Sequence, residues 1–140
     1  MLVLDTDHLT ALGYDSPPGH RLLARLSTAD QEVVTSAVNV DEQLTGLLAA
    51  VHQHKDPAHQ MLPYAELVER MEFLTGFTIL PWDNEGITLF REMKARKVAT
   101  GTMDLKIACI AITHDALLLT ANSVDFAKVP GLRSEDWLVE

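Results

Sequence analysis

Short apolar or β-branched runs recur along the chain at Leu2–Leu4, Val33–Ser36, Thr78–Leu80 and Leu117–Thr120. Between them apolar residues fall every three or four positions, the spacing that lines one face of a helix. Pro17-Pro18 followed by Leu22, Leu23 and Leu26 predicts a helix opened by proline. From Asn39 to about His54, Leu44, Leu47, Leu48 and Val51 predict a second helix, ended by Pro57. Met61, Ala65, Val68 and Met71 predict a third, from Ala58 to about Thr75, with Gly76 as its stop. Asp83 is placed to cap a fourth, striped by Ile87, Phe90 and Met93. After the break at Gly101-Thr102, a fifth runs from about Met103 to His114, with Ile107, Ala108, Ala111 and Ile112 facing inward. Strand and helix therefore alternate, which favours an α/β fold: a central, mostly parallel sheet flanked by helices on both faces. No repeat, low-complexity tract or linker interrupts residues 1–140, so one domain is expected.

Composition narrows the compartment more than the fold. With 47% hydrophobic residues in 140, the chain can bury a core without covalent staples. Its single cysteine, Cys109, lies in the apolar stretch Ile107–Ile112 and reads as a small buried hydrophobe, a usage that suits a reducing cytoplasm. Met1 leads into a strand without a basic n-region, and no apolar run approaches the roughly 20 residues of a membrane span. Neither secretion nor membrane insertion is expected. The net charge of -9 argues against nonspecific coating of nucleic acid, which depends on neutralising many phosphates. Yet Arg91, Lys94, Arg96, Lys97 and Lys106 supply five of the eleven basic side chains. They form either one basic patch on an acidic body or an ordinary solvated helix face.

Four acids stand out by placement. Asp5 ends the first strand, Glu42 lies in the first turn of the helix after the second, Asp104 opens the helix after Gly101-Thr102, and Asp125 follows the last strand. In a right-handed parallel arrangement, strand C-termini and the N-termini of the following helices share one edge of the sheet. All four can meet there. Carboxylates held that close raise one another's pKa and oppose folding unless a divalent cation neutralises them, and hard oxygen ligands favour Mg²⁺ or Mn²⁺. Each acid also has a structural explanation. Glu42 fits a capping box whose cap is Asn39, Asp104 favours a helix N-terminus, and Asp125 stabilises a turn. Their joint placement is what argues for chemistry.

Leu4-Asp5-Thr6-Asp7, the stretch Thr35–Gly46, Gly101–Ala108 and the ending from Leu119-Thr120-Ala121-Asn122 through Asp125-Phe126 to Asp136-Trp137 resemble PIN-domain ribonucleases, specifically VapC-like toxins of toxin–antitoxin pairs. The resemblance spans nearly the whole chain, in order. It implies a metal-dependent endoribonuclease, a homodimer, inhibited by a small antitoxin encoded beside it. By motif, Asp5, Glu42, Asp104 and Asp125 become the acidic quartet, and Thr6, Thr120 and Asn122 polar neighbours of the site. Asp7 stands where many members have asparagine, adding negative charge. Ala121-Asn122 replaces a frequent asparagine or arginine pair, which leaves Asn122 and Asp125 as alternatives for the outer shell. The implied chemistry is phosphodiester hydrolysis, with the run from Arg91 to Lys106 gripping flanking phosphates. No stacking aromatics punctuate that run, so little base reading is expected there.

Other readings remain open on the residues alone. Asp5-Thr6-Asp7 also resembles the opening of haloacid-dehalogenase-type phosphohydrolases, in which Asp5 would attack phosphorus. A PIN-like subunit acting mainly by holding a DNA-binding antitoxin is the non-enzymatic alternative. His52, His54 and His59 suggest zinc, but the first two fall on different faces of a helix, so a helix end and loop is expected. His8 is expected to be either structural or an outer-shell group. The apolar surface from Asn39 to Thr75, including Met61, Leu62, Leu67, Val68, Met71 and Leu74, predicts a homodimer interface.

Overall fold

The fold is built outward from β1 (Leu2–Leu4), the middle strand of a five-stranded sheet ordered β3-β2-β1-β4-β5 in the computed structural model, which describes residues Met1–Glu140. The other strands are β2 (Val33–Ser36), β3 (Thr78–Leu80), β4 (Leu117–Leu119) and β5 (Arg133–Glu135). Every pairing is parallel. Side chains alternate across a strand, and here the alternation divides the core. Val3, Val34 and Leu118 point into one layer, with Val38, Met93, Leu105 and Phe126. Leu2, Leu4 and Leu119 point into the other, with Leu9, Leu22, Leu26 and Leu74. Burial on both faces is why these central strands read as unbroken apolar runs.

The helices are α1 (Thr6–Gly13), α2 (Pro17–Thr28), α3 (Ala37–His52), α4 (Met61–Leu74), α5 (Asn84–Ala95), α6 (Thr102–Thr113) and the single turn α7 (Ser123–Phe126). The cap at Asp83 is as expected, its carboxylate accepting the Gly86 N–H at 3.0 Å. Four local expectations change. The cap of α3 is Ser36, whose hydroxyl accepts the Asn39 N–H at 3.1 Å, so the helix starts two residues earlier and Asn39 lies inside it. Residues Pro57–Gln60 form a separate 3₁₀ turn before α4, because Asp56 caps there and accepts the Ala58 N–H. The Ala121–Phe126 turn contains α7. Strand β5 was not anticipated; Arg-Ser-Glu carries no apolar signal, and backbone pairing to β4 alone defines it.

Helix α4 divides its apolar residues between two faces, and of its residues expected at an interface only Leu74 turns fully inward. Met61, Leu62, Val68 and Met71 are exposed, whereas Leu74 is 3% exposed and belongs to the core. Arg70 is buried on the inward face, its guanidinium 5.0 Å from the Tyr14 ring and 5.2 Å from Phe73. It lies directly over Gly13, so that a side chain there would oblige the guanidinium to shift. A cation seated between two aromatic faces recovers part of its desolvation cost.

Candidate active site

At the C-terminal edge of the sheet, Asp5 leaves β1 with only 6% exposure. Burying a carboxylate is costly unless its oxygens are bonded, and both are. Oδ1 accepts from Asn39 Nδ2 at 2.8 Å, and Oδ2 accepts from the Thr120 hydroxyl at 2.7 Å. Asn39 is itself held: the Ser36 hydroxyl donates to its Oδ1 at 2.6 Å. Thr120 just follows β4, and its Oγ1 accepts the Asn122 N–H at 3.0 Å. The first turn of α3 and the loop after β4 thus clamp Asp5 from opposite sides. Thr35 reinforces the β1–β2 end by donating to the Leu4 carbonyl at 2.9 Å.

Glu42 reaches the same edge from α3. Its Oε2 accepts from the Thr6 hydroxyl at 3.4 Å, while Oε1 is buried and without a hydrogen-bond partner. Asp104, in the first turn of α6, accepts from Asn122 Nδ2 at 3.3 Å. Burial raises the pKa of Asp5, Glu42 and Asp104 above the ordinary carboxylate range, and the neighbouring acids raise them further: Asp7 acts on Asp5, Asp5 and Asp104 on Glu42, and Asp5 and Asp125 on Asp104. On Asp5 the Thr120 and Asn39 hydrogen bonds pull the other way. None of the three is in an ion pair with lysine or arginine.

Asp125 sits differently. It is at the rim, its pKa is lowered by Asn122 and Lys128, and Lys128 Nζ lies 3.3 Å from its Oδ1. Asn122, not Asp125, is the group hydrogen-bonded to Asp104. As the side chains stand, no three His, Cys, Asp or Glu groups form a ready-made ligand cluster. The donor set nevertheless fits a hard cation, because the carboxylates are charge-crowded and Glu42 Oε1 is an orphaned buried oxygen.

Two residues of this edge carry more than the sequence suggested. Asn39 does not cap α3 but binds Asp5; the Ser36-x-x-Asn39 spacing, three residues upstream of Glu42, was the available signal. His8 is fully buried, with Nδ1 2.6 Å from Asp7 Oδ1 and Nε2 accepting the Trp137 N–H at 3.1 Å. That pairing specifies the tautomer with the proton on Nδ1. The other oxygen of Asp7 accepts the Ala121 N–H at 2.9 Å, so His8 and Asp7 tie the C-terminal segment to the loop carrying Thr120 and Asn122.

The family profile of the PIN domain matches residues 2–132. The chain belongs to the PIN domain family. Among curated relatives it is 33% identical over 95 residues to a ribonuclease VapC1 of Rickettsia felis, covering 64% of this chain and 67% of that one. It is 29% identical over 137 residues to a ribonuclease VapC of Rickettsia bellii, covering 94% and 92%. Among solved structures, a DNA-bound VapBC from Salmonella typhimurium aligns over 97% of both chains with a TM-score of 0.74 at 22% identity, a likeness of fold.

The basic residues singled out in the sequence lie on and beside α5 and α6, which pack together. Arg91 and Lys94 lie on α5, Arg96 and Lys97 just beyond it, and Lys106 on α6 one residue past Leu105. None of the five takes part in an ion pair, whereas Arg21, Arg25, Lys128 and Arg133 all do. No aromatic lies within the run, but the fold brings two from just before it into contact: Trp82 and Phe90 pack at 5.7 Å and 87°, with Lys94 5.6 Å from Phe90 and Lys106 5.8 Å from Trp82. His54 and His59 meet edge to face at 6.0 Å at the end of α3, in no metal-binding group. The phosphohydrolase alternative needs Asp7 free for proton transfer, and both its oxygens are engaged by His8 and Ala121.

Proposed function

We propose that this PIN domain is a divalent-metal-dependent endoribonuclease, the toxin of a toxin–antitoxin pair, and that it works with Mg²⁺ or Mn²⁺ in the cytoplasm. The observation that carries the reading is three carboxylates, on β1, α3 and α6, crowded at one sheet edge with raised pKa values and no basic partner. Ribonuclease names among the relatives support the substrate class. The buried free Cys109, its thiol pushed up to about 11, suits a reducing compartment, and no helix is long and apolar enough to cross a membrane.

Asp5, Asp104 and Glu42 would hold the ion, with Asn122 and Asp125 outside them. Such an ion supplies a lowered pKa for a bound water and charge neutralisation at the phosphate. The protein's own contributions are positional. Asn39 and Thr120 fix the Asp5 carboxylate, and Asn122 orients Asp104. Glu42 Oε1, buried and without a hydrogen-bond partner, is the oxygen that would face the ion. Thr6 steadies Glu42 through its other oxygen. Arg91, Lys94, Arg96, Lys97 and Lys106 then hold phosphates on either side of the cleaved bond.

Regulation by a small antitoxin belongs to the same proposal. An apolar groove of about 500 Å³, lined by Leu12, Tyr14, Leu23, Leu26, Phe73 and Phe77, would seat its hydrophobic anchors, and a cationic side chain inserted among the carboxylates would take the ion's place. A homodimer through the exposed Met61, Leu62, Val68 and Met71 completes it. The test is cleavage of a mixed RNA pool with Mg²⁺, with Mn²⁺ and with EDTA. Cleavage that requires a metal and disappears in Asp5→Asn is expected; full activity in EDTA or in Asp5→Asn refutes the reading.

A further inference from the structure

The basic run does not end in bare cations. Trp82 lies two residues beyond β3, on the same C-terminal edge of the sheet as Asp5, and Lys106 lies on α6, the helix whose first turn carries Asp104. Lys106 Nζ approaches the Trp82 ring at 5.8 Å, and Lys94 Nζ approaches Phe90 at 5.6 Å. With Trp82 and Phe90 packed at 5.7 Å, a cation stands at each end of an aromatic pair on the α5–α6 seam. Gly86 makes the arrangement possible. It is buried under the indole, and a Cβ there would stand 3.1 Å from Trp82 Cζ3.

Trp82 and Phe90 pack on one side against the apolar layer that holds Val3 and Leu118, and each is only half-buried, so part of each ring faces solvent. Neither Lys94 nor Lys106 is paired with a carboxylate, although the chain has 20 acidic residues. Two uncommitted ammonium groups around a half-exposed indole combine the elements by which single-stranded nucleic acid is held: a π-face for the base and cations for its phosphates.

We propose that Trp82 and Phe90 with Lys94 and Lys106 form a nucleobase-stacking subsite for single-stranded RNA, seating a base that flanks the cleaved phosphate. On binding, the base takes the indole face, and the Lys106 ammonium leaves the ring for the adjoining phosphate. Stacking is tolerant of base identity because every base has a π-face, so the subsite selects single strands over duplex rather than one sequence. The inference rests on the endoribonuclease reading for its substrate.

The experiment separates the two. In the full-length Trp137→Phe protein, the remaining tryptophan, Trp82, is followed by fluorescence while a single-stranded oligouridylate is added in EDTA, where no cutting is expected. Saturable quenching that weakens with salt, and a smaller response to duplex RNA of equal length, are expected. In cleavage assays with metal, Trp82→Leu should raise KM by about tenfold with kcat little changed, and Trp82→Phe should restore most of the loss. If Trp82→Leu fails to fold, cross-linking of 4-thiouridine RNA to the wild-type chain replaces it, with the adduct expected on Trp82 or Phe90. Metal-dependent cleavage without quenching or adduct overturns the subsite and leaves the nuclease standing. Quenching without cleavage of any RNA overturns the nuclease and leaves the subsite standing.

Discussion

Replacing Glu42 with glutamine tests whether the three carboxylates share one electrostatic site. Asp5 and Asp104 both raise the Glu42 pKa. A hydrogen-bonded path runs from Asp5 through Asn39 at 2.8 Å and Thr6 at 3.3 Å to Glu42 at 3.4 Å. At a separation of roughly 8 Å and an effective dielectric of about 20, a like-charge pair costs about 2 kcal/mol. Water reaches Glu42 and Asp104, which are half-buried, and screening reduces the net relief to about 1 kcal/mol. Glutamine keeps an acceptor for Thr6 and offers its amide to the remaining carboxylates. In EDTA at pH 8 the variant should therefore melt about 3 °C higher than wild type. The sign with pH follows from the raised pKa. The cost is absent below the unfolded value of 4.5 and appears as pH rises through the higher folded value, so the variant's advantage should vanish near pH 4. Mg²⁺ should stabilise wild type more than the variant, since the ion binds the charge that has been removed. Differential scanning calorimetry across pH and metal decides it: an unchanged or lower melting temperature at pH 8 in EDTA, or the same advantage at pH 4, refutes the reasoning.

Three further substitutions probe the supports of the site. Thr120→Val keeps the shape but removes the 2.7 Å bond to Asp5 and the acceptor for the Asn122 N–H, so about 2 kcal/mol of stability should be lost in urea titrations and cleavage should fall about tenfold. His8→Leu removes a fully buried imidazole and leaves the Trp137 N–H and one Asp7 oxygen, both part-buried, without that partner; a loss of about 1 kcal/mol is expected, with faster hydrogen exchange at Trp137 as the local readout. Gly19→Ala places a Cβ 2.1 Å from the Ala11 carbonyl oxygen, so α1 and α2 must move apart, at about 3 kcal/mol by chemical denaturation.

What the sequence made legible tracks how local the physics is. Strands β1, β2 and β4 are readable because both sheet faces are covered there, and β3, mostly exposed at the sheet's edge, is readable from its β-branched Thr78-Ile79 and Leu80. Strand β5 is not, since Arg133–Glu135 is defined only by pairing with β4. The meeting of Asp5, Glu42 and Asp104 follows from parallel topology, which places strand ends and helix starts together. Asn39 was misread because its contact with Asp5 spans 34 positions, and a polar residue near a helix start looks like a cap. His8 joins residues at opposite ends of the chain, an arrangement no spacing rule encodes. The α4 stripe was visible by period, but period does not say which face turns inward: Arg70 and Leu74 do, and Met61 and Val68 do not.

The charge layout explains how a chain of net charge -9 can act on a polyanion. Arg21, Arg25 and Arg133 are paired with carboxylates on other surfaces, and Lys128 pairs with Asp125 at the rim. The crowded acids at the sheet edge and the unpaired cations of α5 and α6 are left beside one another without cancelling. In the proposed site, a Lys106–Asp104 pair would cancel both the attraction for a divalent ion and the cation offered to a phosphate. Kept apart, the carboxylates repel RNA until a cation neutralises them, whereas the flanking lysines and arginines attract it throughout. Metal and RNA should then bind with positive cooperativity, and linkage requires the factor to be the same in either order. Calorimetric titration of non-cleavable RNA with and without Ca²⁺ measures that factor. A value of one would mean the carboxylates and the basic run act as separate sites.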